Sequence, residues 1–198
     1  MSHPTSCVLR PVSYVLCPTS HVLPTPYSLL PIPYSLFPTV PIRDATSADL
    51  AAITRLINAA FEVEQFFITG PRTTEDECAR HLAAEGTTIL VATATDAPDD
   101  PILGTVVVRM QGARGYFGML AIAPDRQGEG FGRRLIGAAE DLARRHGCTR
   151  MEIRVVDLRT ELPPLYEALG YRVTGTAPFS EPATLRRPAH FLVMSKPL

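Results

Sequence analysis

The stretch "AIAPDRQGEGFGRRLI", residues 121–136, decides the fold. Three glycines at alternate positions, Gly128, Gly130 and Gly132, follow an apolar run and lead into "RRLIGAAEDLARR". Apolar chain ended by Pro124, then a glycine-rich arm, then an amphipathic run, read as strand, turn and helix. The pattern predicts a helix from about 131 to 146, with Leu135, Ala139 and Leu142 inward and Gly147 closing it. Small residues let successive backbone N–H groups of 128–133 face one anion, and the positive end of the helix reinforces them. Arg126, Arg133 and Arg134 add charge nearby. No lysine follows these glycines, so the turn is not a P-loop. Arg133 stands where the dinucleotide fingerprint needs its third glycine, so that motif fails too. A plain glycine-rich connection with exposed arginines is the alternative that these residues leave open.

Outward from the turn, "YFGMLAIAP" predicts the strand that precedes it. Before that strand, "TTILVATAT" and "ILGTVVVRM" are β-rich runs joined by "DAPDDP", which predicts an antiparallel hairpin. Further back, "SADLAAITRLINAAF" has a start signal in Thr46 or Ser47 and places Leu50, Ile53, Leu56, Ile57 and Ala60 on one helical face. "TTEDECARHLAAEG" repeats the logic, with Thr73 or Thr74 as cap, acids in the first turn and Gly86 as stop. "TVPIRDAT" reads as a short edge strand, where Pro41 is tolerated. After the glycine turn come a strand in "RMEIRVVD", a short helix in "ELPPLYEALG", and strands in "YRVTGT" and "HFLVMSK". The order β, α, α, β, β, β, α, β, α, β, β implies an α/β (mixed α+β) fold, one sheet with parallel and antiparallel neighbours and helices on its faces.

At 198 residues the chain can bury a sizeable core, and a net charge of −1 lacks the basic excess of a nucleic-acid binder. No apolar run approaches the roughly 18 residues of a membrane span. Cys7, Cys17, Cys78 and Cys148 show neither CxxC nor metal-ligand spacing, so free thiols, a cytoplasmic setting and no metal are expected.

Residues 1–38 differ from the rest. They contain one charge, Arg10, no glycine, and prolines at 4, 11, 18, 24, 31 and 38 that mark near-identical seven-residue units. Proline in every unit forbids a long helix, so extended, poorly ordered chain is expected. The recurrence also reads as a translated nucleotide repeat, a mis-called start upstream of a domain that covers 39–198.

"LAIAPDRQGEGFGRRLIGAAEDLA" resembles the acyl-CoA-binding motif of the GNAT superfamily of N-acyltransferases, Q/R-x-x-G-x-G/A, matched by Gln127, Gly130 and Gly132. The element order is also that of the GNAT fold, and "PLYEALGYRVTGT" is similar to the family's second signature. The resemblance implies a central mixed sheet splayed at a bulge with helices on both faces, the strand 116–123 and the helix 131–146 parting there, with acetyl-CoA in the opening. It implies that the backbone of Leu120, Ala121 and Ile122 pairs with pantetheine. It further implies that Gln127, Gly128, Glu129, Gly130, Phe131, Gly132 and Arg133 hold the pyrophosphate, and that Tyr166 offers its phenol to the coenzyme sulfur as general acid.

Two departures from the family's pattern bear on mechanism. A Glu is frequent six residues before the Ile122 position, where this chain has Tyr116, itself a catalytic candidate. An Asn is frequent seven residues before the tyrosine, where this chain has Arg159. Candidates for the base are Glu64, and with it Glu62, Glu152 and His190. "FEVEQFFITGPR" and "APFSEPATLRRPAH" are the expected acceptor-binding segments, the first aromatic and acidic, the second bringing Arg186 and Arg187. Together these features suit transfer of an acetyl group from acetyl-CoA to a small-molecule amine, in a monomer or a homodimer. A non-catalytic acyl-CoA-binding domain of the same fold is the alternative, favoured by the two departures.

Overall fold

A computed structural model describes residues 40–95, 97, 100–179 and 184–198. The reading of residues 1–38 lies outside the described residues, as does part of the last hairpin loop.

The strands are β1 (Ile42–Asp44), β2 (Thr87–Thr93), β3 (Ile102–Gln111), β4 (Arg114–Ile122), β5 (Arg150–Val156), β6 (Arg172–Pro178) and β7 (His190–Pro197). The helices are α1 (Leu50–Ala60), α2 (Glu75–Ala83), α3 (Phe131–Arg145) and α4 (Leu162–Ala168). One seven-stranded sheet runs in the order β1-β2-β3-β4-β5-β7-β6. Every pairing is antiparallel except β4 with β5. The expected element order holds throughout. The strand before the glycine turn starts two residues earlier than its sequence pattern suggests, because Gly112 at φ +56 lets β3 turn directly into it.

Alternation along the strands sends side chains to two separate cores. Leu90, Ala92, Val106 and Val108 pack with Leu135, Ala139 and Leu142 of α3 on one face. Ile89, Val91 and Val107 pack with Ile53, Leu56 and Ile57 of α1 on the other. Local capping fixes where the helices begin. Thr74 accepts from the Glu77 N–H while the Glu77 carboxylate accepts from Thr74 N–H, a reciprocal box that starts α2. Thr46 and Asp49 make the same pairing, but around a 3-10 turn, Ser47–Asp49, that precedes α1. α4 tolerates two prolines because they fall in its first turn, where N–H groups have no helical partner.

Two features open the sheet. In the β3–β4 ladder, Thr105 faces Ala121 and Val107 faces Gly118, so Met119 and Leu120 together oppose Val106. This is a β-bulge, and Met119 takes φ +51 there, a left-handed conformation that costs a non-glycine residue about 1–2 kcal/mol. The β4–β5 ladder, meanwhile, contains only Arg114–Arg150, Gly115–Met151 and Tyr116–Glu152. Beyond Tyr116 the edge of β4 facing β5 has no strand partner, and a cleft follows.

A third cluster joins the connection after α1 to the last hairpin. Phe67 and Ile68, from the connection after α1, pack on Val156 and Phe191. Ile68 bridges to Leu185, Thr69 N–H donates to the Thr184 carbonyl (2.8 Å), and Arg186 N–H donates to the Phe67 carbonyl (2.8 Å). The connection between the first two helices is thereby fastened to the last hairpin.

Candidate active site

The cleft between β4 and β5 has a volume of about 1100 Å³. Glu64, Tyr116, Leu120, Ile122, Gln127, Gly132, Arg133 and Tyr166 all line it, so residues from five parts of the chain meet there.

At one end lies the glycine turn. Gly128 and Gly130 both have φ +87, which L side chains rarely adopt, and a Cβ at either would project into open space. Gly130 forms the N-cap of α3, and no side chain caps that helix. The first-turn N–H groups therefore point outward beside Arg133. Gln127 Nε2 donates to the Ile122 carbonyl at 3.5 Å and ties the arm to the end of β4. Arg126 is drawn aside, paired with Glu129 at 3.2 Å and set over the Phe131 ring. Phe131 and Ala121 bury their side chains in the two cores, so toward a ligand each offers backbone alone. An uncapped helix start, open glycines and an unpaired strand edge suit an extended ligand that carries a pyrophosphate.

In the middle two phenols converge from opposite faces. Tyr166 packs on the α3 side, its ring 6.2 Å from that of Phe117 and 6.0 Å from that of Tyr171. Burial pushes its hydroxyl up to about 12, and the neighbouring Tyr116 pushes in the same direction. Tyr116 lies on the α1 side, flat along its own strand: a Cβ on Gly118 would come within 2.6 Å of its hydroxyl. Burial raises the Tyr116 phenol too, against the pull of Arg154, Arg109 and Arg72. Both phenols keep their protons at neutral pH.

At the far end is Glu64, buried on a 3-10 turn, Glu62–Phe66. Arg159 Nη1 donates to its Oε1 at 2.9 Å, and Arg72 Nε stands 4.0 Å from its Oε2. Burial raises the Glu64 carboxyl, and the two arginines hold it back down. Arg159, which stands where relatives often carry Asn, thus belongs to the carboxylate. The sequence offered no sign of this pairing across 95 positions.

The other candidates are placed differently. Glu152 lines the cleft but is held by Arg150 (3.1 Å) and Arg114 (3.7 Å). His190 pairs with Asp157 at 3.2 Å and does not line the cleft. Glu62 and Arg186 line a smaller side cavity of about 380 Å³. Arg187 sits over the Phe66 ring. Among the described residues no cluster of His, Cys, Asp or Glu could hold a metal ion, and no helix is long and apolar enough to cross a membrane.

Comparison with known proteins fits this geometry. Residues 50–171 match the acetyltransferase (GNAT) family. No protein of curated function matches the chain. Among solved structures, yncA of Salmonella typhimurium, determined with its cofactor acetyl-CoA, is 24% identical over 81% of this chain and 95% of its own, with a TM-score of 0.61. The ribosomal-protein-S18-alanine N-acetyltransferase of Escherichia coli is 18% identical over 80% of this chain and 94% of its own, with a TM-score of 0.61. Nourseothricin acetyltransferase is 21% identical over 79% of this chain and 97% of its own, with a TM-score of 0.60. The bulged strand, the glycine turn and the tyrosine helix thus lie on a fold shared with acetyltransferases, and the chain belongs to the GNAT acetyltransferase family.

Proposed function

We propose that this protein transfers an acetyl group from acetyl-CoA to the amine of a small-molecule acceptor by direct attack on the thioester. The observation that carries the reading is the continuous cleft, which runs from an uncapped glycine turn past Tyr166 to a buried carboxylate. Bound acetyl-CoA supplies an activated carbonyl and a thiol leaving group. The N–H groups of 128–133 and the Arg133 guanidinium bind its pyrophosphate, and the free edge of Leu120–Ile122 aligns its pantetheine arm.

An alkyl amine is on the order of 0.1% neutral or less at pH 7, so the site must remove a proton from it. Glu64 does so through Oε2, from which Arg72 Nε stands 4.0 Å away while Arg159 holds Oε1. Tyr166, still protonated, donates to the departing sulfur. A phenol near 12 is a weaker acid than an alkyl thiol near ~8.5, so its contribution is a hydrogen bond held through the transition state more than a completed transfer. Tyr116, also protonated, is not a base for the amine's proton but can donate a hydrogen bond.

The fastened connection over the acceptor side supports a small acceptor. Phe179 stacks on Phe191 at 4.9 Å and meets Phe67 edge-on at 6.5 Å, which makes that side a roofed pocket. Buried free thiols at Cys78 and Cys148 support a reducing, cytoplasmic setting. One observation favours a second reading, a non-catalytic acyl-CoA-binding domain: Arg159 already occupies one oxygen of Glu64. Thiol release from acetyl-CoA across a panel of amines separates the two. Amine-dependent release is expected, and coenzyme binding with no release for any amine would establish the second reading.

A further inference from the structure

The protein has a net charge of −1, yet its cleft is lined, among the described residues, by seven arginines against three glutamates. Most of these arginines have a local task. Arg133 stands at the glycine turn. Arg72 and Arg159 share Glu64, Arg80 faces Glu77 at 3.7 Å, and Arg114 faces Glu152 at 3.7 Å. Arg109 and Arg154 have no acidic partner among the described residues. The contact of Arg109 is His81 Nδ1 at 3.1 Å, and burial, aided by Arg109 itself, lowers that imidazole so that it stays neutral. His81 therefore steadies the guanidinium without cancelling its charge. Arg154 makes no ion pair among the described residues.

These two arginines flank one point. Arg109 is the cross-strand partner of Tyr116, and Tyr116 is the partner of Glu152. Arg154 is the next residue along β5 that shares the face of Glu152. The Arg109 guanidinium carbon lies 6.0 Å from the centroid of the Tyr116 ring, and the fields of Arg154 and Arg109 both act on its hydroxyl. This face of the sheet is the one covered by α1 and α2, opposite α3 and its glycine turn, so the pair does not serve the coenzyme's pyrophosphate. Two exposed guanidinium groups without an acidic partner among the described residues, with the half-buried Tyr116 phenol beside them, have the chemistry that an oxyanion needs.

We propose that the acceptor carries an oxyanion, a planar carboxylate or a tetrahedral phosphonate, beside its amine, bound between Arg109 and Arg154 with the Tyr116 hydroxyl as a third donor. An amino acid is the smallest acceptor class that meets this description. The inference rests on the acetyl-transfer reading of the same cleft, and names its substrate class.

The test uses the full chain with saturating acetyl-CoA and matched acceptors: L-amino acids, their amides, and the corresponding 1-aminoalkylphosphonates. Acids are expected to exceed amides at least tenfold in kcat/KM. R109Q and R154Q should each raise KM for the acid at least tenfold, with little effect on KM for the amide. The carboxylate and phosphonate arms tell which oxyanion is preferred. Amides that serve as well as acids, or variants that impair both equally, would overturn the proposal. A second measurement keeps it separate from the transfer reading. Inorganic phosphate is titrated by calorimetry into protein preloaded with coenzyme A, and the R109Q/R154Q double variant should bind it at least tenfold more weakly. Unchanged phosphate affinity overturns the anion site whatever the turnover. Arginine-dependent phosphate binding without turnover of any amine leaves the anion site standing and removes the transfer reading.

Discussion

The two ends of the cleft are built by different rules. The glycine end is made from consecutive residues, Gln127 to Arg133, and in the function we propose works through backbone N–H groups and conformation. The acceptor end is made from side chains that meet only in three dimensions. Glu64 comes from a 3-10 turn, Arg72 from the loop before α2, Arg109 from β3, Tyr116 from β4, Arg154 from β5 and Arg159 from the loop before α4. A backbone cradle needs a spacing of small residues, which a sequence displays. A side-chain constellation needs only that each residue be correct where the fold delivers it, and its spacing carries no information. A shared fold can therefore keep the first end constant while the second varies freely.

Substitutions at each end should separate these two kinds of construction. The largest effect is expected for Tyr166→Phe, which keeps the ring packing on Phe117 and Tyr171 but removes the donor to the sulfur. Turnover kinetics should show kcat lowered roughly 10²-fold or more with coenzyme affinity little changed. Near-normal kcat would make the phenol a packing residue. Next is Gly130→Asp, which places an L side chain at φ +87 and a negative charge where a pyrophosphate would lie. Calorimetry should show acetyl-CoA bound at least about tenfold more weakly in a variant that still folds. Unchanged affinity would empty the cradle of its assigned role.

The smallest change is expected for Arg159→Gln at high pH, where Glu64 is ionised in both proteins. Arg159 favours the charged form of Glu64, and its loss leaves burial opposed by Arg72 alone. The Glu64 carboxyl should therefore rise further, and the acid limb of the kcat/KM profile should move to higher pH. A limb that stays in place would mean that Glu64 is not the group that takes the proton.

The fold itself was legible because its signals are local. Thr74 with Glu77, the inward set Leu135, Ala139 and Leu142, and the hairpin runs before the bulge each declare their element within a few residues. The bulge was expected from the family resemblance and not from any residue, since Met119 takes φ +51 without being a glycine. The partner of Glu64 was illegible for a plainer reason: the two residues lie far apart in the chain, and Arg159 meets Glu64 only in the folded sheet, beside the Ile68–Leu185 bridge. The arginine pair on the sheet floor was hidden likewise. Arg109 and Arg154 look like ordinary exposed strand residues until β4 sets Tyr116 between them.

The parallel junction of β4 and β5 spans only three residue pairs. Mechanically it is a short seam between two antiparallel blocks, β1 to β4 and β5 to β7. α3 spans the seam in the chain, since it joins β4 to β5. Within the sheet, Arg114 to Tyr116 is the stretch of β4 that is laddered to β5 among the described residues. A ligand lying along the open edge of β4 acts as the missing stitches, and its binding energy becomes cohesion between the blocks. At a hundredfold excess over Kd that coupling adds about 2.7 kcal/mol to the folded state. Under the function we propose, the protein is then stiffest while it holds its coenzyme, and loosens as the spent one departs.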